Sequence, residues 1–261
     1  MGAFTRIPEN TFRGLQLDAG ILLRNFDPNN PAVTDADIIC ATTGGINPQC
    51  IASYEDIFKD VDNAPNNMME GKKLTGWDCK IATTCLGVDP ETIRLALGAA
   101  DKAGMRVVPR RDVKLTDFAT LWWVGDRADG GFVAVQLLNG LSTGGLSLQT
   151  TKNGKGQISI EITGHVSLQA QNVVPMQFYS SDPIEYTVTK TLSHVTTNGE
   201  DTVFAGQSYL AALTPDEGYT LGTATITMGG TNITEAAYDD GIIIIDEVTG
   251  NITISCTGTA V

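Results

Sequence analysis

The residues with the strongest chemistry in this 261-residue chain are two histidines, five cysteines, two acid-rich loops and one basic cluster. Each would need a particular spacing to make a site. His165 stands on the polar side of an alternating run, and His194 lies beside a turn. Neither has a local nucleophile signature of the Cys–His kind. Cys40, Cys50, Cys79, Cys85 and Cys256 are odd in number and contain no CxxC pair. That predicts small, half-buried thiols rather than a disulfide framework or a zinc site. "TTGGIN" lacks the lysine of a phosphate-binding loop. "DPNNPAVTDAD" offers Asp27, Asn29, Asn30, Asp35 and Asp37, but Ala32 occupies the place of the glycine that an EF-hand loop needs. "DVDNAPNNMMEG" has Pro65 there and Gly71 where the closing glutamate belongs. A solvated turn and an irregular calcium site both remain open for these loops. "VVPRRDVK" places Arg110, Arg111 and Lys114 together. The patch is too small for specific nucleic-acid binding and is expected to form salt bridges, within the chain or across a subunit boundary. No catalytic, cofactor-binding or metal-binding residue is assigned, and the expectation is a protein that is not an enzyme and carries no cofactor.

The bulk numbers agree with that expectation. The formal net charge is -13 and the hydrophobic fraction 42%. An acidic chain is a poor match for a protein that grips nucleic acid or an anionic membrane. No apolar run approaches the roughly 18 residues of a membrane span. "MGAFTRIPENTFRG" has no apolar core of a secretory signal, which predicts a protein made and kept in a reducing cytoplasm.

The elements that must carry these residues are mostly strands. "GLQLDAGILL" and "DIICAT" are strand-like, and "TGWDCKIAT" puts Trp77, Cys79 and Ile81 on one face. The cleanest alternation is "GQISIEITGHVSLQ". Ile158, Ile160, Ile162, Val166 and Leu168 face one way, and Ser159, Glu161, Thr163, His165, Ser167 and Gln169 the other. The preceding "LSLQTTKNGKGQ" supplies a hairpin turn at Asn153-Gly154. One helix is predicted over Asp89–Ala103, capped by Asp89, opened by Pro90 and stopped by Gly104. "SYEDIFKDV" reads either as a helical turn or as an ordered loop.

A composition break falls at "SSDPIEY". Residues 186–261 contain one lysine, no arginine and nine acids, so net charge is -8 there and -5 in the first 185 residues. This predicts two domains, 1–182 and 183–261. The second has short strands between turn signals such as Asn198-Gly199 and Gly250-Asn251, the spacing of a small β-sandwich. "GIIIID" is apolar at consecutive positions, as in a strand covered on both faces.

In this order, "GLQLDAGILLRNFDP", "ATTGGIN", "DVDNAPNN", "LGAAD", "FATLWWVGD", "GGFVAVQLLNGLSTGG" and "GKGQISIEITGHVSLQAQNVVPMQFY" resemble the tail tube (major tail) proteins of long-tailed bacteriophages and prophages of Gram-positive bacteria. The likeness runs over about residues 12–180. The remainder, from "FAGQSYLAALTPDEGYT" onward, resembles bacterial immunoglobulin-like (Ig-like) modules attached to phage structural proteins. The resemblance implies a mainly β fold: a tail-tube β-sandwich or barrel with one flanking α-helix, followed by a small Ig-like β-sandwich. It implies a structural virion protein, assembled in the host cytoplasm into hexameric rings that stack into a tube. Double-stranded DNA passes through the lumen without being held. Long loops and an N-terminal arm join the rings. The implied protein partners are further copies of the chain and the tape measure, tail terminator and distal tail proteins, with no membrane binding.

Within that picture Trp122 and Trp123, adjacent on one strand, need two dry faces. The core supplies one, and either the flanking helix or a neighbouring subunit supplies the other. Trp122, Trp123, Arg110 and Arg111 are therefore candidate inter-subunit residues. Ser159, Glu161, Thr163 and His165 are candidates for the lumen lining, with an outer solvated face as the alternative. Two other readings stand beside the tail tube: the inner tube of a contractile particle, and a cell-surface adhesin that binds glycan through its Ig-like domain.

Overall fold

The structure is a computed structural model that describes Thr11 and residues 14–261. Most of "MGAFTRIPENTFRG", and with it the expected N-terminal arm, lies outside the described residues. The chain is mainly β. By internal contacts it divides into two compact units. One is Asp18–Gly125 with Val133–Ser180; the other gathers Ser181–Val261, the described residues up to Leu17, and Asp126–Phe132. The second unit thus recruits a turn from the middle of the chain. Within it, Arg127 pairs with the buried carboxylate of Asp129, and the Ser181 hydroxyl accepts the Phe132 N–H at 2.7 Å.

The elements of the first unit are β1 (Gln16–Leu23), β2 (Thr42–Asp56), β3 (Lys72–Cys85), α1 (Pro90–Leu97), β4 (Ala100–Ala103), β5 (Arg106–Pro109), β6 (Ala119–Arg127), β7 (Phe132–Ser142), β8 (Ser147–Gln149), β9 (Gln157–Thr163) and β10 (Met176–Ser180). Eight of these strands form one sheet in the order β1-β6-β7-β9-β3-β2, with β10 added on β7 and β8 on β9. β4 and β5 make a separate hairpin. One face of the sheet carries the core: Leu22, Ile81, Leu121, Trp123, Leu137, Ile158, Ile160 and Ile162, with Leu95 and Ala96 of α1 packed on it.

The sheet curls until its two ends nearly meet. Ile39 N–H donates to Leu22 O at the β1 edge, and Thr42 already pairs with Cys85 on β3. The intervening residues span at most about 10 Å, and Ile39 sits about one strand spacing of 4.8 Å from β1, so the two edges lie within about 15 Å there. The Cys40–Cys85 disulfide sits at this seam. The expectation of five unpaired thiols is corrected at this point. Two cysteines 45 residues apart in sequence meet because the sheet closes, which neither their number nor their spacing encodes.

Three further local expectations are revised. The helix ends at Leu97, not Ala103: Gly98 takes φ +70° and its N–H closes on Arg94 O and Leu95 O, so the next residues leave as β4. Asp89 caps it as expected, its Oδ1 accepting the N–H groups of Glu91 and Thr92. "SYEDIFKDV" continues β2 as far as Asp56 before turning. "DIICAT" is not a strand of its own: Ile38 makes an isolated bridge to Leu23, and Thr42 opens β2.

The second unit holds β11 (Glu185–Ser193), β12 (Val195–Thr197), β13 (Thr202–Phe204), β14 (Tyr209–Pro215), β15 (Tyr219–Met228), β16 (Thr231–Asn232), α2 (Thr234–Ala237), β17 (Tyr238–Asp239), β18 (Ile242–Ile245) and β19 (Ile252–Ala260). Two sheets, β13-β11-β19-β15-β16 and β12-β14-β18-β17, enclose a core that includes Val188, Ile226, Ile252 and Ile254 from one and Tyr209, Leu213, Ile243 and Ile245 from the other. Ile242 and Ile244 are exposed, so "GIIIID" is covered on one face only, contrary to its sequence reading.

Candidate functional site

The outer face of β9 and β3 brings together most of the polar residues singled out in the sequence. Ser159, Glu161 and Thr163 alternate with the buried Ile158, Ile160 and Ile162. Directly opposite on β3 stand Thr84, Ala82 and Lys80. Beyond them on β2 come Thr43, Asn47 and Gln49. The Thr143 and Thr163 hydroxyls share a hydrogen bond at 2.7 Å. The result is a broad surface of hydroxyls and amides. A shallow groove of about 410 Å³ crosses it, lined by Thr43, Gly45, Asn47, Thr84, Ser159 and Glu161 among others. The Gly44-Gly45 insertion, which breaks the register between Thr43 and Ile46, shapes one wall.

The charges on this face include one ion pair, Lys80 with Glu161, and the exposed Asp78 two residues before Lys80 on β3. Lys80 Nζ lies 3.3 Å from Glu161 Oε2. Glu161 is therefore not a bare carboxylate. Its partner is 81 residues away in sequence, and only strand register brings the two together.

His165 does not belong to this face. β9 ends at Thr163, and the chain turns: His165 N–H donates to Leu138 O, and Asn139 Nδ2 donates to His165 O. The ring lies edge-on to Phe118 at 5.2 Å, with Nδ1 3.1 Å from Asn139 O. The alternation read through "GHVSLQ" fails for the same reason, and Val166 and Leu168 are exposed. His194 stacks on Tyr219 at 4.1 Å.

Both tryptophans are buried within one chain, Trp122 at 6% and Trp123 at 9% exposure. Trp123 enters the core of the first unit and donates from Nε1 to Ala19 O at 2.9 Å. Trp122 turns to the opposite face, between Phe26 at 5.5 Å and Tyr179 at 5.4 Å. The second dry face is thus supplied by the loop after β1 and by β10, not by the helix.

Arg110 is largely buried, while Arg111 is exposed. The Arg110 guanidinium gathers Asp117, Asp101 and Asp112. Burial by itself would raise the pKa of Asp117. The Lys114 N–H and the Arg110 guanidinium outweigh it and hold the carboxyl below its ordinary range. The first acid-rich loop uses two of its carboxylates locally: Asp27 accepts Asn29 N–H at 2.9 Å, and Asp37 accepts the Thr34 hydroxyl at 2.6 Å. Among the described residues, no three His, Cys, Asp or Glu side chains are placed to hold a metal ion. No described helix is long and apolar enough to cross a membrane.

Another surface was not foreseen. β2 and β3 stay paired as far as Asp56 and Lys72, but β3 pairs with β9 only over Lys80–Cys85. The remainder is a two-stranded arm. Ala52 and Trp77, then Tyr54 and Leu74, oppose each other along it, and Trp77, Tyr54 and Leu74 are all exposed. No family model matches this chain, and a search of curated proteins finds no match.

Proposed function

We propose that this chain is a structural subunit that self-assembles into stacked rings, forming a phage tail tube through which double-stranded DNA is delivered. The observation that carries the reading is the β2–β3 arm. A lone two-stranded ribbon is marginal in water. This one also exposes Trp77, Tyr54 and Leu74, and β2 is the terminal strand of its sheet. Exposed apolar side chains and an open strand edge both favour pairing with another chain. Assembly would bury them. The outer face of β3 and β9 supports the same reading: Lys80 there is paired with Glu161, Asp78 is exposed beside it, and a channel for DNA must offer phosphates no net attraction.

Negative-stain images and sedimentation of the purified protein test the proposal. Rings or hollow tubes are expected. Trp77→Glu should leave a folded subunit, judged by an unchanged thermal transition, that no longer assembles. Wild-type protein that remains monomeric at high concentration would overturn the proposal.

A further inference from the structure

The arm has a second cysteine pair at its root. Cys50 and Cys79 are direct cross-strand partners on β2 and β3, with their sulfurs 2.9 Å apart and no bond between them. Cys79 O accepts a hydrogen bond from Gly164 N–H, on the side away from β2. In an antiparallel strand the N–H and C=O of one residue point the same way. Cys50 and Cys79 therefore form a non-hydrogen-bonded rung, the kind in which the α-carbons come closest, at about 4.5 Å. That separation lies within the range a disulfide spans. Cys50 is half-buried, whereas Cys79 is sealed.

We propose that Cys50 and Cys79 form an oxidisable dithiol that closes into a second disulfide when the protein meets a small-molecule disulfide. The Cys50 thiolate attacks one sulfur of the oxidant, forming a mixed disulfide and releasing the first small thiol. Cys79 then loses its proton and attacks Cys50 Sγ. The protein disulfide forms and the second small thiol leaves. Two protein thiols are oxidised and one external disulfide is reduced to two thiols. The product ties β2 to β3 where β3 parts from β9, so the arm is anchored at its base. The second step is the slow one. Burial first, and then the neighbouring Cys50 sulfur, push the Cys79 thiol up to about 12. Capping Cys50 removes the second influence and leaves the first. Closure should therefore accelerate with rising pH.

The experiment treats the full chain with oxidised glutathione, blocks remaining thiols with N-ethylmaleimide in denaturant, and maps non-reduced peptides by mass spectrometry. A Cys50–Cys79 cross-link is expected, with free thiols falling from the three of Cys50, Cys79 and Cys256 to Cys256 alone. Cys79→Ala should stop at the glutathione adduct on Cys50. A wild-type protein that also stops at that adduct, or that links Cys50 to Cys40 or Cys85, would overturn the proposal.

Discussion

Trp122 and Trp123 show what one residue pair reveals and what it withholds. Their adjacency on a strand required two dry faces, and the sequence alone supported that requirement. What covers the second face was not legible, because Phe26 and Tyr179 lie far from Trp122 in the chain. Glu161 carries the same lesson, since its charge partner Lys80 is set by register between β3 and β9. Trp123 gives the sharper stability test. It fills the core and satisfies the Ala19 carbonyl, and β1 approaches so closely that a side chain on Gly20 would sit 2.7 Å from Trp123 Nε1. Trp123→Ala removes that volume and should cost about 3–5 kcal/mol. Trp123→Phe keeps much of the apolar area and should cost less. Urea unfolding followed by circular dichroism measures both, and equal losses would show that the indole N–H bond, not the volume, matters most.

At the scale of elements, the start of α1 was legible and its end was not. Asp89 and Pro90 are local signals, and the cap they predict is present. The stop was misplaced because Ala100 continues the spacing of Ile93, Ala96 and Leu97 beyond Gly98, although Ala100–Ala103 leave to pair with β5. The seam at Cys40–Cys85 was hidden for a different reason: sheet closure is a property of eight strands together. The cap makes a pH prediction. Burial pushes the Asp89 carboxyl upward, but hydrogen bonds from the Thr92 hydroxyl and the Thr92 and Glu91 N–H groups outweigh it, so its folded pKa lies below the ordinary carboxylate value. A depressed carboxylate stabilises the fold above its unfolded pKa, and that contribution disappears as pH falls through the folded value. Asp89→Ala should therefore cost about 0.5–2 kcal/mol near neutrality, and progressively less in acid. Parallel urea titrations of both proteins at neutral and acid pH check this. A cost that did not shrink in acid would assign the effect to packing rather than to the cap.

At the scale of the whole molecule, the Lys80–Glu161 pair on the outer face of β3 and β9 matters only if many copies repeat it around a channel. In the proposed tube, Glu161 and Lys80 recur together in every subunit of every ring, and a duplex passing them meets no net charge from the pair. Glu161→Lys breaks that balance by placing two ammonium groups side by side on every subunit. Each phosphate neutralised by such a lining releases counterions, so retention should be strongest at low salt and fall steeply as salt rises. Tubes should still form, because the apolar partners Ile158, Ile160 and Ile162 on the core face are untouched. Phage carrying the variant should eject DNA slowly at low salt and recover at high salt. The charge swap Lys80→Glu with Glu161→Lys separates two explanations. It restores neutrality and the ion pair with the partners exchanged, so ejection should return to the wild-type rate. A swap as slow as the single variant would rule out net charge as the cause. A single variant that fails to assemble would make this face a contact between subunits and move the lining to other strands.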